Sequence, residues 1–234
     1  MNVVDCPSPN HDERPDGRAP DMIILHYTGM PTGKEALERL CDPSAKVSAH
    51  YMIEEDGTLY RLVPEERRAW HAGVSSWNGD TDINGCSIGI ELVNPGHEFG
   101  YRAFPEAQMT ALETLAGEIV ARRAIKPLRV LGHSDVAPLR KQDPGELFDW
   151  RRLAGKGIGL WPERAPRIAF PHWGLADIQA ALIGIGYGLE VTGKLDEQTR
   201  AVITAFQRHF LPKNLTGVAD PLTIGRLLDF AAVV

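Results

Sequence analysis

Between residue 22 and about residue 152, short apolar runs alternate with one long stretch of helical periodicity. That alternation restricts this part of the chain to an α/β arrangement, a sheet flanked by helices. Residues 22–27 (MIILHY) have the length and continuous apolarity of a buried strand. Residues 49–63 (AHYMIEEDGTLYRLV) read as a hairpin whose Asp56-Gly57 supplies the positive φ of a tight turn. Residues 87–93 (SIGIELV) form a third buried run. Met109, Leu112, Leu115 and Ile119 recur at helical spacing between Pro105, suited to a first turn, and Arg122-Arg123, suited to a last one. This predicts a helix lying across a mixed sheet. Residues 129–131 predict a late strand, and 132–145 (GHSDVAPLRKQDPG) a loop, because Pro138 and Pro144 interrupt regular structure.

The chain changes character after residue 155. Residues 156–173 are rich in Gly and Pro, without periodicity, and read as a linker between a first domain (1–155) and a second (174–234). In the second, residues 191–202 (VTGKLDEQTRAV) and 215–226 (LTGVADPLTIGR) share T-G-x-x-D-x-x-T at an offset of 24 residues. A glycine turn followed by an Asp N-cap, used twice, predicts a small helical module. Its expected core is Ile178, Leu182, Ile185, Val202, Phe206, Leu227 and Leu228.

At 234 residues and 43% hydrophobic, the chain can bury a proper core. A net charge of −6 with no clustered Lys and Arg argues against nucleic acid as a partner. Cys6, Cys41 and Cys86 are odd in number and form no CxxC pair, so no structural disulfide is expected. No apolar run reaches the roughly 18 residues of a membrane span. The acidic N-terminus, with Asp5, Asp12, Glu13 and Asp16, is unlike a secretory signal, which favours the cytoplasm for the chain as it stands and the periplasm if a leader has been removed. A monomer is expected.

Three candidate metal ligands stand where strands end or loops begin: His26, His133 and Asp143. A lone strand-end histidine is usually structural, and the spacing resembles no zinc finger. Two imidazoles and a carboxylate are nevertheless a typical catalytic zinc set, leaving a fourth position for water. Glu91 interrupts the apolar run SIGIELV, a costly place for a carboxylate unless it is paired, metal-linked or catalytic. Lys141 lies two residues before Asp143, where an ammonium can stand beside an oxyanion.

The stretches ILHYTG (24–29), SAHYMIEEDGTLYRLV (48–63), AWHAG (69–73), NGCSIGIELVN (84–94) and GHSDVAPLRKQDPG (132–145) resemble the zinc-dependent N-acetylmuramoyl-L-alanine amidases of the AmpD and AmiD kind, related to phage T7 lysozyme and the peptidoglycan recognition proteins. The resemblance covers nearly all of the first domain, in order. It implies one zinc ion held by His26, His133 and Asp143, with Glu91 as the base acting on water and Lys141 as the stabiliser of the tetrahedral intermediate. Asp143 stands where T7 lysozyme has cysteine, which aligns the chain with the bacterial branch. His71 and Trp70 of AWHAG, together with Tyr27 and Asn84, are the expected substrate contacts; Trp77 is a further candidate. His50 is expected to be structural, and His11, His97, His172 and His209 to be surface or packing residues. The second domain resembles the type 1 peptidoglycan-binding module through IQAALIGIGY, VTGKLDEQTRAVITAFQ and LTGVADPLT, whereas HFLPKN departs from its usual spacing. The implied substrate is peptidoglycan or its muropeptides. The rival reading is a non-catalytic peptidoglycan receptor on the same fold.

Overall fold

The computed structural model describes residues 2–169 and 172–230. Its strands are β1 (Val3–Asp5), β2 (His11–Glu13), β3 (Met22–Tyr27), β4 (Tyr51–Ile53), β5 (Leu59–Arg61), β6 (Arg67–Ala69), β7 (Ser87–Leu92) and β8 (Val130–Gly132). Its helices are α1 (Gly33–Cys41), α2 (Ile83–Cys86), α3 (Gly96–Phe99), α4 (Glu106–Arg123), α5 (His133–Val136), α6 (Trp150–Ala154), α7 (Leu175–Ile185), α8 (Glu197–Phe210) and α9 (Pro221–Phe230). Six strands form one mixed sheet in the order β1-β5-β4-β7-β3-β8, and β2 pairs with β6 in a separate ribbon. The predicted hairpin is β4-β5, with Gly57 at φ 86° in its turn.

β3 is apolar at every position from Met22 to Leu25 because both faces of the sheet are covered. Successive side chains alternate sides. Ile23 and Leu25 join Ile88 and Ile90 under Met109, Leu112 and Leu115 of α4. Met22 and Ile24 join Leu131 and Val136 in a core that continues through Trp77 into Ile178, Leu182, Val202, Phe206 and Phe230 of α7, α8 and α9. The second half of the chain therefore covers the other face of the first half's sheet. Residues 156–169 are not a free tether either: Ile158 is buried in the α4 core, and Leu160 and Trp161 pack on the shared one. Residues 170 and 171 lie outside the described residues.

The T-G-x-x-D-x-x-T repeat caps two helices as expected. Asp196 accepts from the Thr199 amide and Asp220 from the Thr223 amide, each at 2.8 Å. A device the pattern did not predict completes each unit. Gln179 Oε1 accepts from the amides of Thr192 and Gly193, and Gln207 Oε1 from those of Thr216 and Gly217. Leu228 is only half-buried, and Phe230 takes the place expected for it in the core. The stretch expected to be all loop after β8 opens with the one-turn helix α5.

Candidate functional site

The parallel β3–β7 ladder pairs His26 with Glu91, so the two side chains stand side by side on one face at the strand ends. β8 lies on the other side of β3, pairing Leu25 with Gly132, and delivers His133 one residue later. Gly132 is required there, because a Cβ would stand 2.7 Å from Pro144. Asp143 returns to the same point from the loop, tied by a hydrogen bond from the Ser134 amide to its carbonyl, 2.9 Å.

These three residues converge. His26 Nδ1 and His133 Nδ1 are 2.9 Å apart, and Asp143 Oδ2 lies 3.0 Å from the first and 3.1 Å from the second. All three are buried and together can hold a metal ion. The far side of each imidazole is already engaged. His133 Nε2–H donates to the Ala72 carbonyl at 3.0 Å. His26 Nε2–H donates to His71 Nδ1 at 3.0 Å, His71 Nε2–H to Ser87 Oγ at 3.2 Å, and Ser87 Oγ–H to the Ile83 carbonyl. This is the proton assignment that leaves both Nδ1 lone pairs free to face the cluster. Gly89 makes room for the arrangement, since a Cβ there would meet the His71 ring at 2.5 Å.

The electrostatics favour ligation. Burial, then the neighbouring His133, pushes the His26 imidazole down to about 4, keeping it neutral. His71 is driven well below its ordinary value by burial and then by His26. Burial pushes the Asp143 carboxyl up, but His133 and His26 outweigh it and hold Asp143 far below the carboxylate range. Burial, followed by the charge of Asp143, raises Glu91 well above that range, with Lys141 opposing. Glu91 Oε2 has no hydrogen-bond partner among the described residues.

A cavity of about 380 Å3 opens on this cluster, lined among others by His26, Tyr27, His71, Glu91, His133, Lys141 and Asp143. Two expected substrate contacts are not in its wall. Trp70 Nε1–H donates to Asp12 at 2.7 Å on the exposed β2–β6 ribbon. Asn84 is buried and accepts from the amides of His71 and Ala72, holding the segment that carries His71. Trp77 is buried too, edge-on to Tyr187 in the shared core. His50 is structural as expected, accepting from the Gly89 amide at 2.9 Å. His97, expected to be a surface or packing residue, lines the cavity, bonded to the Tyr27 hydroxyl at 3.0 Å and stacked on Tyr101. Its one sequence signal is the Pro95-Gly96 turn that follows β7, where Gly96 at φ 67° passes close to the Tyr27 ring.

Comparison with known proteins places this geometry. Residues 16–146 match the family described as N-acetylmuramoyl-L-alanine amidase, and residues 174–227 the family described as putative peptidoglycan binding domain. The chain is 39% identical over 221 residues to N-acetylmuramoyl-L-alanine amidase AmiD of Escherichia coli, spanning 86% of this chain and 79% of that one. It is 37% identical over 164 residues to the 1,6-anhydro-N-acetylmuramyl-L-alanine amidase AmpD of Citrobacter freundii, spanning 63% of this chain and 86% of that one. The solved structure of E. coli AmiD with the substrate anhydro-N-acetylmuramic acid-L-Ala-D-gamma-Glu-L-Lys superposes with a TM-score of 0.81 at 36% identity, over 92% of this chain and 90% of the other. AmpDh3 from Pseudomonas aeruginosa in complex with anhydromuramic pentapeptide superposes with a TM-score of 0.81 at 33% identity, over 92% of each chain. With its strand-end histidines and carboxylates on this fold, and a second domain of the peptidoglycan-binding type, the chain belongs to the N-acetylmuramoyl-L-alanine amidase family.

Proposed function

We propose that this chain cuts the amide between the lactyl group of N-acetylmuramic acid and L-alanine with one zinc ion held by His26 Nδ1, His133 Nδ1 and Asp143 Oδ2. The observation that carries the reading is the convergence of those three atoms while both Nε2 positions are engaged elsewhere. Two neutral imidazoles and a carboxylate suit zinc. Bound there, zinc supplies a Lewis acid and makes water acidic enough to be deprotonated near neutral pH.

The chain's own groups do the rest. Glu91, beside His26 in the ladder and unpartnered at Oε2, takes a proton from the attacking water and returns it to the leaving amide nitrogen. Its elevated proton affinity without metal falls when a cation sits nearby, leaving the carboxylate able to accept. Lys141 projects into the same cavity and donates to the carbonyl oxygen as it becomes negative. Carboxylic acid and free amine leave as products.

Glu91→Gln keeps size and hydrogen bonding but gives up the base. Turnover of a muramyl tripeptide, followed by mass spectrometry of the released peptide, is expected to fall by about 10² to 10⁴ with the zinc content unchanged. Chelation should abolish turnover in the parent protein and added zinc should restore it. Near-parental turnover by Glu91→Gln removes Glu91 from the mechanism, and undiminished turnover by demetallated protein removes the metal.

A further inference from the structure

A second cavity, of about 420 Å3, lies between the loop 138–142 of the first domain and one face of α8 in the second. Arg140, Lys141 and Gln142 line both this groove and the metal-cluster cavity, so one segment is the shared wall. The α8 side presents Glu197, Arg200, Thr204 and Arg208, positions that fall on one stripe of the helix. Four cations, Arg140, Lys141, Arg200 and Arg208, thus line the groove with Glu197, and Glu146 stands behind Arg208, in a chain whose net charge is −6. Lys141 borders both cavities, while Arg140 donates to the Ala72 carbonyl at 3.0 Å and Arg200 to the Gly217 carbonyl at 3.4 Å. Arg208 is mostly buried, its Nε 3.7 Å from Glu146 and without a hydrogen-bond partner. A largely buried guanidinium with one nitrogen short of an acceptor, as at Arg208, favours an anion that brings one.

We propose that this groove is a substrate subsite built jointly by the two domains, taking a free carboxylate from the distal part of a stem peptide. The assignment rests on the amidase reading above. Once the muramic acid carboxyl is locked in the amide to be cut, the glycan offers no carboxylate, so a cationic groove selects the peptide. Three residues beyond the scissile bond span about 10 Å, and the two cavities are neighbours, since Arg140, Lys141 and Gln142 line both. Arg200 and Arg208 come from α8, so both domains are needed to complete the groove.

The test compares two soluble substrates, anhydromuramyl-L-Ala-D-γ-Glu-L-Lys with a free terminal carboxylate and the same compound as its terminal amide, in the parent protein, Arg200→Glu and Glu197→Gln. Both substitutions lie on the surface of α8. The parent should prefer the free carboxylate in kcat/KM, and Arg200→Glu should cut that preference by about fivefold, the scale of an exposed ion pair. Glu197→Gln should increase it, a gain that misfolding cannot produce. A parallel digestion of intact sacculi locates the source. Loss of preference with the soluble pair puts the carboxylate on the peptide being cut, whereas slowed digestion of sacculi alone puts it on a neighbouring peptide. Calorimetric binding of the same two compounds separates this proposal from the amidase reading, since a protein that binds the free acid better through Arg200 but cleaves neither keeps the groove and loses the reaction. If all three proteins treat acid and amide alike and digest sacculi equally, the groove is not a carboxylate subsite.

Discussion

His26 can face a metal through Nδ1 only if its Nε2 proton has a fixed acceptor, and the acceptor here is another imidazole, His71, fixed in turn by Ser87. Outer partners of this kind typically contribute 10- to 100-fold to metal affinity. His71→Ala is therefore expected to weaken zinc binding by about that factor, read by competition with a chromophoric chelator, and Ser87→Ala to weaken it less because one link of the chain survives. Equal affinity in His71→Ala would make His71 a lining residue and nothing more. At this scale the sequence was uneven in what it disclosed. Glu91 could be singled out because a carboxylate in an apolar strand violates a burial rule, and His26 and His133 because they close strands. The His71–His26 contact had no such mark, since it joins two segments 45 residues apart through a ring contact that no periodicity encodes. Trp70 and Asn84 were expected against substrate from the motifs they sit in, yet one turns to Asp12 and the other holds backbone.

Elements with strong periodicity were the most legible: β3, the β4–β5 hairpin, β7 and α4 lie within a residue or two of where patterning puts them. α5 was hidden because one helical turn between Gly132 and Ala137 is too short to show a period. The glutamine clamps were hidden for another reason. Gln179 precedes its glycine turn by 13 residues and Gln207 by 9, counted to Thr192 and Thr216, so the repeat carries the caps but not the clamps in register. Each clamp buries a full amide: the two protons of Gln207 Nε2 are shared among the Thr216 hydroxyl, the Val218 carbonyl and the Thr223 hydroxyl, while Oε1 accepts from two amides. Gln207→Leu would strand the Thr216 and Gly217 amides at a cost of about 1 to 3 kcal/mol per buried group. Urea denaturation should show a loss of roughly 3 kcal/mol on that basis, and a loss below about 0.5 kcal/mol, the ordinary range for a surface substitution, would mean water replaces the clamp freely.

On the scale of the whole molecule, the glycine- and proline-rich stretch 156–173 suggests two bodies on a tether, but the apolarity of both faces of β3 already requires a cover for each. α4 supplies one and α7 to α9 the other. The join is polar as well as apolar: Asp135, two residues after His133, accepts from the Tyr187 hydroxyl at 2.7 Å and pairs with His209 at 2.8 Å, while the His209 ring stacks on Trp150 at 3.8 Å. A chain ended at Pro166 would uncover Met22, Ile24, Trp77, Leu131 and Val136 and leave Asp135 without either partner. Uncovering five such side chains at about 1.5 to 3 kcal/mol each costs as much as the entire 5 to 15 kcal/mol by which domains are usually stable. The shortened chain should therefore aggregate or unfold at least 10 °C below the parent, on the scale of several kcal/mol of lost stability, and lose zinc with the fold. A milder version keeps the chain intact. Tyr187→Phe removes one bond to Asp135 and should lower the melting temperature by a few degrees, in line with about 1 kcal/mol for a buried hydrogen bond. If instead the chain ended at Pro166 melts with the parent, binds zinc equally and releases stem peptide at the parental rate, the second domain is a detachable wall-binding attachment, and the face of β3 turned toward it has some other cover.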